Sequence, residues 1–339
     1  MIEADTAGDE LIDALVDLAA AGRGGAVIPC VDETVLLLAR DRDRIEPAHE
    51  LPFGDLGWLE TLSDKARFAM WAETNGVPVP RTAVLETVAD AEVAARALSF
   101  PCALKPAART ERWLAAVDVK GFKLQTPDAL ISTYRRVAAF ADRLVAQEWV
   151  PGPAENLHVL RGFFDRDGKP LATFSARLIR QWPPDTGIAV SLAECRSEAA
   201  ERIALDMLER IGHYGFAMVE VKRDERTGEH LVIEANVGRP TALSGHAERT
   251  GVELLRTAYC EMLGLPLPNA RRQRDLGTKY VFLRGDIRAA LSLGRRRLTL
   301  RGWVSSLRGR RGYALLSGRD PLPFLVDLAR AGSALLRRA

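Results

Sequence analysis

Cysteine is scarce in this chain of 339 residues: the four, Cys30, Cys102, Cys195 and Cys260, are scattered, and no two form a C-x-x-C pair. That spacing argues against a disulfide framework and against a zinc site, and it suits structural thiols in a reducing, cytoplasmic setting. No run of about 20 apolar residues occurs, so no stretch reads as a transmembrane helix. The first residues, MIEADTAGDELIDALVDLAAAG, are acidic and amphipathic, without the basic start and apolar core of a secretory signal. Histidine is also rare. The five, among them His158, His213 and His246, lie on different segments without metal-ligand spacing, which fits surface or supporting positions better than catalysis.

What is present is the composition of a folded protein, 47% hydrophobic and 27% charged, in a length that suggests two or three domains. The net charge of +2 is unevenly spread. Residues 271–339 hold 17 of the 47 Lys and Arg and 4 of the 45 Asp and Glu, a local balance of +13 against −11 for the remainder. Such a basic tail suits an anionic surface or partner, although GRRRLTLRGWVSSLRGRRG carries one aromatic and no nucleic-acid motif, and a solvated arginine face accounts for it equally well.

Hydrophobic patterning alternates between strand and helix. A helix over 9–22 precedes the strand GAVIPC, and a second helix opens near Asp32 with that residue as N-cap. A longer helix over 56–75 holds Lys65 and closes at Gly76, before VPVP. Then come a strand near 81–86, a helix near 88–98, the strand PCALKPA, a helix near 127–141 and the strand RLVAQEWV. Two hairpins follow, turning at Asp165 to Gly168 and at Glu225 to Gly228.

The stretch LVIEANVGRPT begins as a buried strand and ends polar. Residues two apart on a strand share a face, so Glu234 and Asn236 look the same way, and the hairpin brings Glu220 antiparallel to them. Oxygen donors of this kind suit a hard cation such as magnesium. The plainer readings are a strand end that reaches water, and a Glu220 paired with Lys222. Upstream, Lys105 stands at the end of an apolar strand, and Lys120 follows in DVKGFKLQT. A single such lysine is ordinarily a solvated group; lysines followed by acidic ligands form the set that phosphoryl transfer requires.

In this order and spacing, DKARFAMWAETNGVPVPRT, FPCALKPA, LVAQEWVPGPAE, GFAMVEVKRDERTGEHLVIEANVGRP and HAERTGVELLRTAYCEMLG resemble the ATP-grasp superfamily, in particular its carboxylate-amine ligase branch. The resemblance covers roughly residues 10–268, and YVFLRGDIRAALSLG and SGRDPLPFL are similar to an extension found in that branch. It implies an α+β and α/β architecture: an ATP-grasp fold whose two lobes clamp ATP. A shortened N-terminal α/β domain would take residues 1–60, the ATP-grasp domain 61–268 (small lobe about 81–150, large lobe about 151–268), and a basic extension 269–339.

The resemblance also implies roles. Lys65 would stand at the nucleotide entry, Lys105 and Lys120 on the phosphates, Gln147, Glu148, Trp149 and Val150 at the adenine edge, and Glu155 on the ribose. Glu220, Glu234 and Asn236 would hold one or two magnesium ions, or manganese in their place. Arg239 would stabilise an acyl phosphate and its oxyanion. The implied reaction activates a small carboxylate with ATP and joins it to an amine, an amino acid or similar substrate, with ADP and phosphate released; a homodimer is compatible with it. A nucleotide-binding scaffold without ligation is the alternative. Three departures stand out. The opening strand and Gly-containing turn of the family are missing, as with a displaced start codon or a naturally short domain. No glycine lies in PAARTERWLAAVDV, where a phosphate flap is usual. Met218 occupies a position where many relatives carry arginine, a charge that Arg177 and Arg180 are placed to supply.

Overall fold

The computed structural model describes residues 8–46, 48–117 and 119–336. The first seven residues of the acidic N-terminal stretch and the last three of the basic tail lie outside that set, as does Asp118. The N-terminal segment comprises α1 (Asp9–Ala20), β1 (Gly25–Ala26), α2 (Asp32–Arg40), α3 (Arg42–Ile45), β2 (His49–Glu50), α4 (Leu56–Ser63) and α5 (Lys65–Thr74). Within this segment β1 and β2 pair in parallel. The single helix expected over 56–75 is instead two, broken at Asp64. That residue is extended, and its Oδ1 accepts from the Ala66 and Arg67 N–H groups, so a strong N-cap outweighs continuous helical periodicity. Asp32 is likewise the first helical residue, with Val31 in the cap position.

The smaller sheet, ordered β3-β6-β4-β5, is built from β3 (Thr82–Leu85), β4 (Cys102–Pro106), β5 (Phe122–Leu124) and β6 (Leu144–Glu148). Helices α6 (Val88–Ala97) and α8 (Pro127–Val137) cover one face, where Leu85, Cys102, Leu104, Leu130 and Leu144 form a core. Period-two alternation then leaves Ala103, Lys105 and Gln147 on the other face. Between β4 and β5 runs α7 (Glu111–Val117).

The larger sheet has seven strands in the order β11-β10-β7-β8-β9-β12-β13. They are β7 (Leu157–Phe164), β8 (Pro170–Trp182), β9 (Ile188–Glu194), β10 (Gly215–Arg223), β11 (His230–Val237), β12 (Lys279–Val281) and β13 (Arg311–Tyr313). One face packs on α9 (Glu198–Arg210) and on the N-terminal helices, joining Leu160, Val219 and Val237 with Ile12, Val35 and Leu59. The opposite face packs on α10 (Ser244–Thr250) and α11 (Leu254–Met262) through Val159, Phe174, Ala247 and Leu254. The tail is therefore electrostatically distinct but not structurally separate: β12 and β13 extend this sheet, and α12 (Leu283–Arg297), α13 (Leu300–Ser306) and α14 (Leu322–Leu336) accompany them. No helix among the described residues is long and apolar enough to cross a membrane. All four cysteines are free, and His213 and His246 are buried in the sheet's packing rather than exposed.

Candidate active site

The acidic side of the site rests on one antiparallel register. Glu220 on β10 lies directly across from Glu234 on β11, and Met218 lies across from Asn236, so Glu220, Glu234 and Asn236 share a face while Val219, Ala235 and Val237 enter the core. A register shift immediately after Glu220 re-aims the strand there, a device common beside functional sites. Lys222, the plainer partner for Glu220, stands instead over the Trp149 ring, its Nζ 5.5 Å from the centroid. Burial and the facing Glu234 carboxylate push the Glu220 carboxyl up to about 7. Burial also works to raise Glu234, but Lys65, Lys105, Lys120 and Arg109 outweigh it and hold that carboxyl below its usual value. Two carboxylates forced together amid cations are a place where a further cation is stabilising.

The basic side comes from the small sheet and α5. Lys105 Nζ donates to Gln147 Oε1 at 3.4 Å, and burial, with Lys65 and Lys120 nearby, depresses its ammonium against the pull of Glu234 and Glu220. Lys65 Nζ reaches Glu234 Oε1 at 3.8 Å, while its backbone N–H donates to the Ala107 carbonyl beyond β4. Lys120 is positioned by α7: Trp113 is fully buried, and its Nε1 donates at 2.7 Å to the Val119 carbonyl, one residue before the lysine. A tryptophan-anchored helix thus occupies the stretch where a glycine-rich flap is missing. Lys120 is also depressed, first by burial. Arg109, which the sequence reading passed over, adds charge beside Lys120 and Glu234.

At the far end of β6 the Glu148 N–H donates to Arg81 O and the Trp149 N–H to Pro101 O, and Glu148 Oε1 accepts from the Ser99 N–H. The Val150 N–H carries no hydrogen bond among the described residues, which leaves it as the backbone donor of this hinge. Trp149 lies under the Lys123 ammonium, 4.2 Å from its ring centroid. Glu155 is exposed on a short turn, Ala154–Asn156, that leads into β7.

The arginines divide. Arg239 follows Gly238, whose φ of +80° and a Cβ position only 2.6 Å from Val35 Cγ1 make glycine necessary at that turn. Its guanidinium donates to Asp32 Oδ1 and Oδ2 at 2.5 and 2.9 Å and approaches Asn236 Oδ1 at 3.5 Å. Burial opposes the charge, yet Asp32 holds Arg239 above its usual pKa. Arg177 is paired with His158, one residue out of phase with Val159 and Glu220, so it faces the other side of the sheet. Arg180 is 6% exposed and bound in a fork to Asp286 at 2.7 and 3.0 Å. Neither arginine supplies charge opposite Met218. On its other side Met218 pairs with Arg161 on β7, a lone charge in an apolar strand that the sequence reading overlooked. Ser244 is the first residue of α10, and its Oγ accepts from the Thr241 N–H.

No protein-family profile matches the chain. Among solved structures, it superposes on the biotin carboxylase domain of the Hydrogenobacter thermophilus 2-oxoglutarate carboxylase, a complex with MgADP, ADP and bicarbonate, with a TM-score of 0.61 and 20% identity over 82% of this chain and 62% of that one. The chain has the ATP-grasp fold. Curated relatives include a D-alanine–D-alanine ligase of Ectopseudomonas mendocina, 30% identical over 201 residues (55% of this chain, 59% of the relative). A D-aspartate ligase of Enterococcus faecium is 26% identical over 226 residues, 62% of this chain and 52% of the relative. The chain thus spans little more than half the length of these relatives. It resembles the carboxylate-amine ligase branch of the ATP-grasp superfamily.

The donor set fits magnesium better than a softer metal. Among the described residues no group of three or more His, Cys, Asp or Glu is arranged to hold a metal ion; the set here is two carboxylates and one amide oxygen. A set of that composition would leave coordination to be filled by phosphate oxygens and water, as magnesium prefers.

Proposed function

We propose that the chain is an ATP- and magnesium-dependent ligase that activates a small carboxylate as an acyl phosphate and joins it to an amine. The observation that carries this reading is the direct register of Glu220 with Glu234, with Asn236 beside them, facing Lys65, Lys105 and Lys120. The named activities of the relatives, D-alanine–D-alanine and D-aspartate ligation, support amino acids or similar molecules as the substrate class.

In this reading Glu220, Glu234 and Asn236 would hold one or two magnesium ions, or manganese in their place. The bound metal supplies the positive charge that neutralises the phosphates. Lys105 and Lys120 bind the phosphates, with Lys65 at the entry. Gln147 to Val150 receive the adenine, and Glu155 the ribose. A carboxylate oxygen attacks the γ-phosphorus, the bond to the bridging oxygen breaks, and ADP leaves. The amine lone pair then attacks the acyl carbon; Arg239, oriented by Asp32, stabilises the oxyanion until the carbon–oxygen bond to phosphate breaks and the nitrogen gives up a proton. Closure of the two lobes excludes water from the acyl phosphate. A cytoplasmic setting accords with free thiols and ATP use, and the basic tail offers an anionic partner or a second copy a contact.

The test is incubation with ATP, magnesium and pools of amino acids while ADP and phosphate release is followed. Stimulation by one pool, with a ligated product in the same reaction, is expected. Tight MgATP binding with no stimulation by any pool would replace the ligase with the nucleotide-binding scaffold.

A further inference from the structure

Arg161 is 1% exposed, and its Nε, Nη1 and Nη2 are all buried without a hydrogen-bond partner. A guanidinium carries five donors in a fixed fork, and burying one unpaired costs several kcal/mol, by the order of magnitude for an uncompensated buried charge. The fold nevertheless keeps it in place. Its direct neighbours across the sheet are Met218 and Phe174, neither of which offers an oxygen acceptor from its side chain. Glu220 shares its face one pair further along β10 but forms no ion pair with it within 4.0 Å.

A second group in the same place is also unsatisfied. Arg161, Met218, Arg239, Thr241 and Ser244 line one cleft that is closed to a water-sized molecule in this structure and admits a ligand only as it opens, and Thr241 Oγ1 is buried there with no partner, although Thr241 N–H is capped by Ser244 Oγ. His246 and Tyr280 stand near Arg161, with rings stacked at 5.5 Å, and His246 Nδ1 is a further buried atom without a partner. Burial lowers Arg161 to about 10 against Glu220 and Tyr280, so it remains cationic at neutral pH. A fork of donors and a hydroxyl around one cleft match a carboxylate, which accepts two parallel N–H bonds.

We propose that Arg161, with Thr241, binds the carboxylate that the enzyme activates, fixing it beside Glu220 and Arg239. This rests on the ligase reading and deepens it: the acid enters from the α10 side of the large sheet, and specificity begins at a charge on β7 rather than in the Arg239 loop. Arg161 also remains near the acyl oxygen when negative charge develops there.

The experiment titrates acetate and, separately, inorganic phosphate into the full chain with MgADP, by calorimetry and thermal shift. Wild type is expected to bind acetate. R161M should lose about tenfold or more in acetate affinity, as for removal of a charge-assisted pair, with MgADP affinity unchanged. R161K should recover part of it, and T241V, which leaves the charge in place, should lose less. Equal acetate affinity in folded R161M, no acetate binding by wild type, or binding of phosphate alone would each overturn the assignment. MgADP binding and its loss in E234Q are read in the same titrations, so failure of the nucleotide reading is seen separately from failure of the anion site.

Discussion

Replacing Arg180 measures how far a buried arginine serves the structure rather than the chemistry. Asp286, fully buried on α12, accepts from Arg180 Nε and Nη2 at 2.7 and 3.0 Å, from Ser191 Oγ at 2.6 Å and from Trp303 Nε1 at 2.7 Å. Arg180 Nη1 also donates to Ser306 Oγ at 2.7 Å, so one pair ties β8, β9, α12 and α13 together. Removing the arginine leaves a carboxylate without its counter-charge in a dry site, a loss of about 3–5 kcal/mol. Taking both charges away removes that penalty, so R180M with D286L should regain most of it, giving a coupling energy of roughly 2–3 kcal/mol between contacting sites. Urea denaturation of the two single variants and the double gives the three values. If R180M costs less than about 1 kcal/mol, the magnitude expected of an exposed pair, the argument from burial fails. Abolished nucleotide turnover in R180M at undiminished stability would refute it from the other side and return Arg180 to the active site.

The remaining expectations concern the cleft. E234Q should keep the fold, since Glu234 is 40% exposed, but lose magnesium-dependent ATP turnover by about a hundredfold or more; unchanged turnover would remove the metal assignment. K105A should raise the ATP concentration required for half-maximal turnover by about tenfold, the worth of one charge-assisted phosphate contact, and an unaltered requirement would make Lys105 a structural lysine. D32N removes the charge that orients Arg239 while preserving its shape; turnover should fall, with MgADP affinity kept and stability reduced by only about 1 kcal/mol because Asp32 is half exposed, and full turnover would show that Arg239 needs no such support.

Much of this arrangement was legible because it is local. The turns DRDGK and RDERTGE announced both hairpins, and strand alternation alone put Glu234 and Asn236 on one face. What escaped notice depends on partners distant in sequence. Arg180 and Asp286 are 106 residues apart, and Arg239 and Asp32 are 207 apart, so no window of sequence couples them. Asp64 was readable as a cap, but a continuous apolar pattern on both sides of it hid the break between α4 and α5. Arg161 did leave a signal: a single charge inside LHVLRGFF is costly to bury without a purpose.

The ion pair between Lys65 and Glu234 bears on how the two sides of the site work together. Lys65 and Glu234 are 26% and 40% exposed and 3.8 Å apart, so their attraction amounts to no more than about 1 kcal/mol. Such a pair is cheap to break. Glu220, facing Glu234 at a directly paired position, is meanwhile held up near 7 by burial and by that neighbour, a repulsion that a lysine some distance away does not remove. Glu220 and Glu234 would be the residues to hold a divalent cation, whose charge would offset that repulsion, and exchange of the weak contact would leave the Lys65 ammonium available to a phosphate. The same exchange acts on position as well as charge. Lys65 is fastened by its backbone to the end of β4, the strand that carries Lys105, so its contact with Glu234 is one link between the small sheet and the large one, beside the Lys123–Asp185 pair at 2.9 Å. Exchanging that contact for a phosphate would therefore loosen one such link without requiring any buried salt bridge to break.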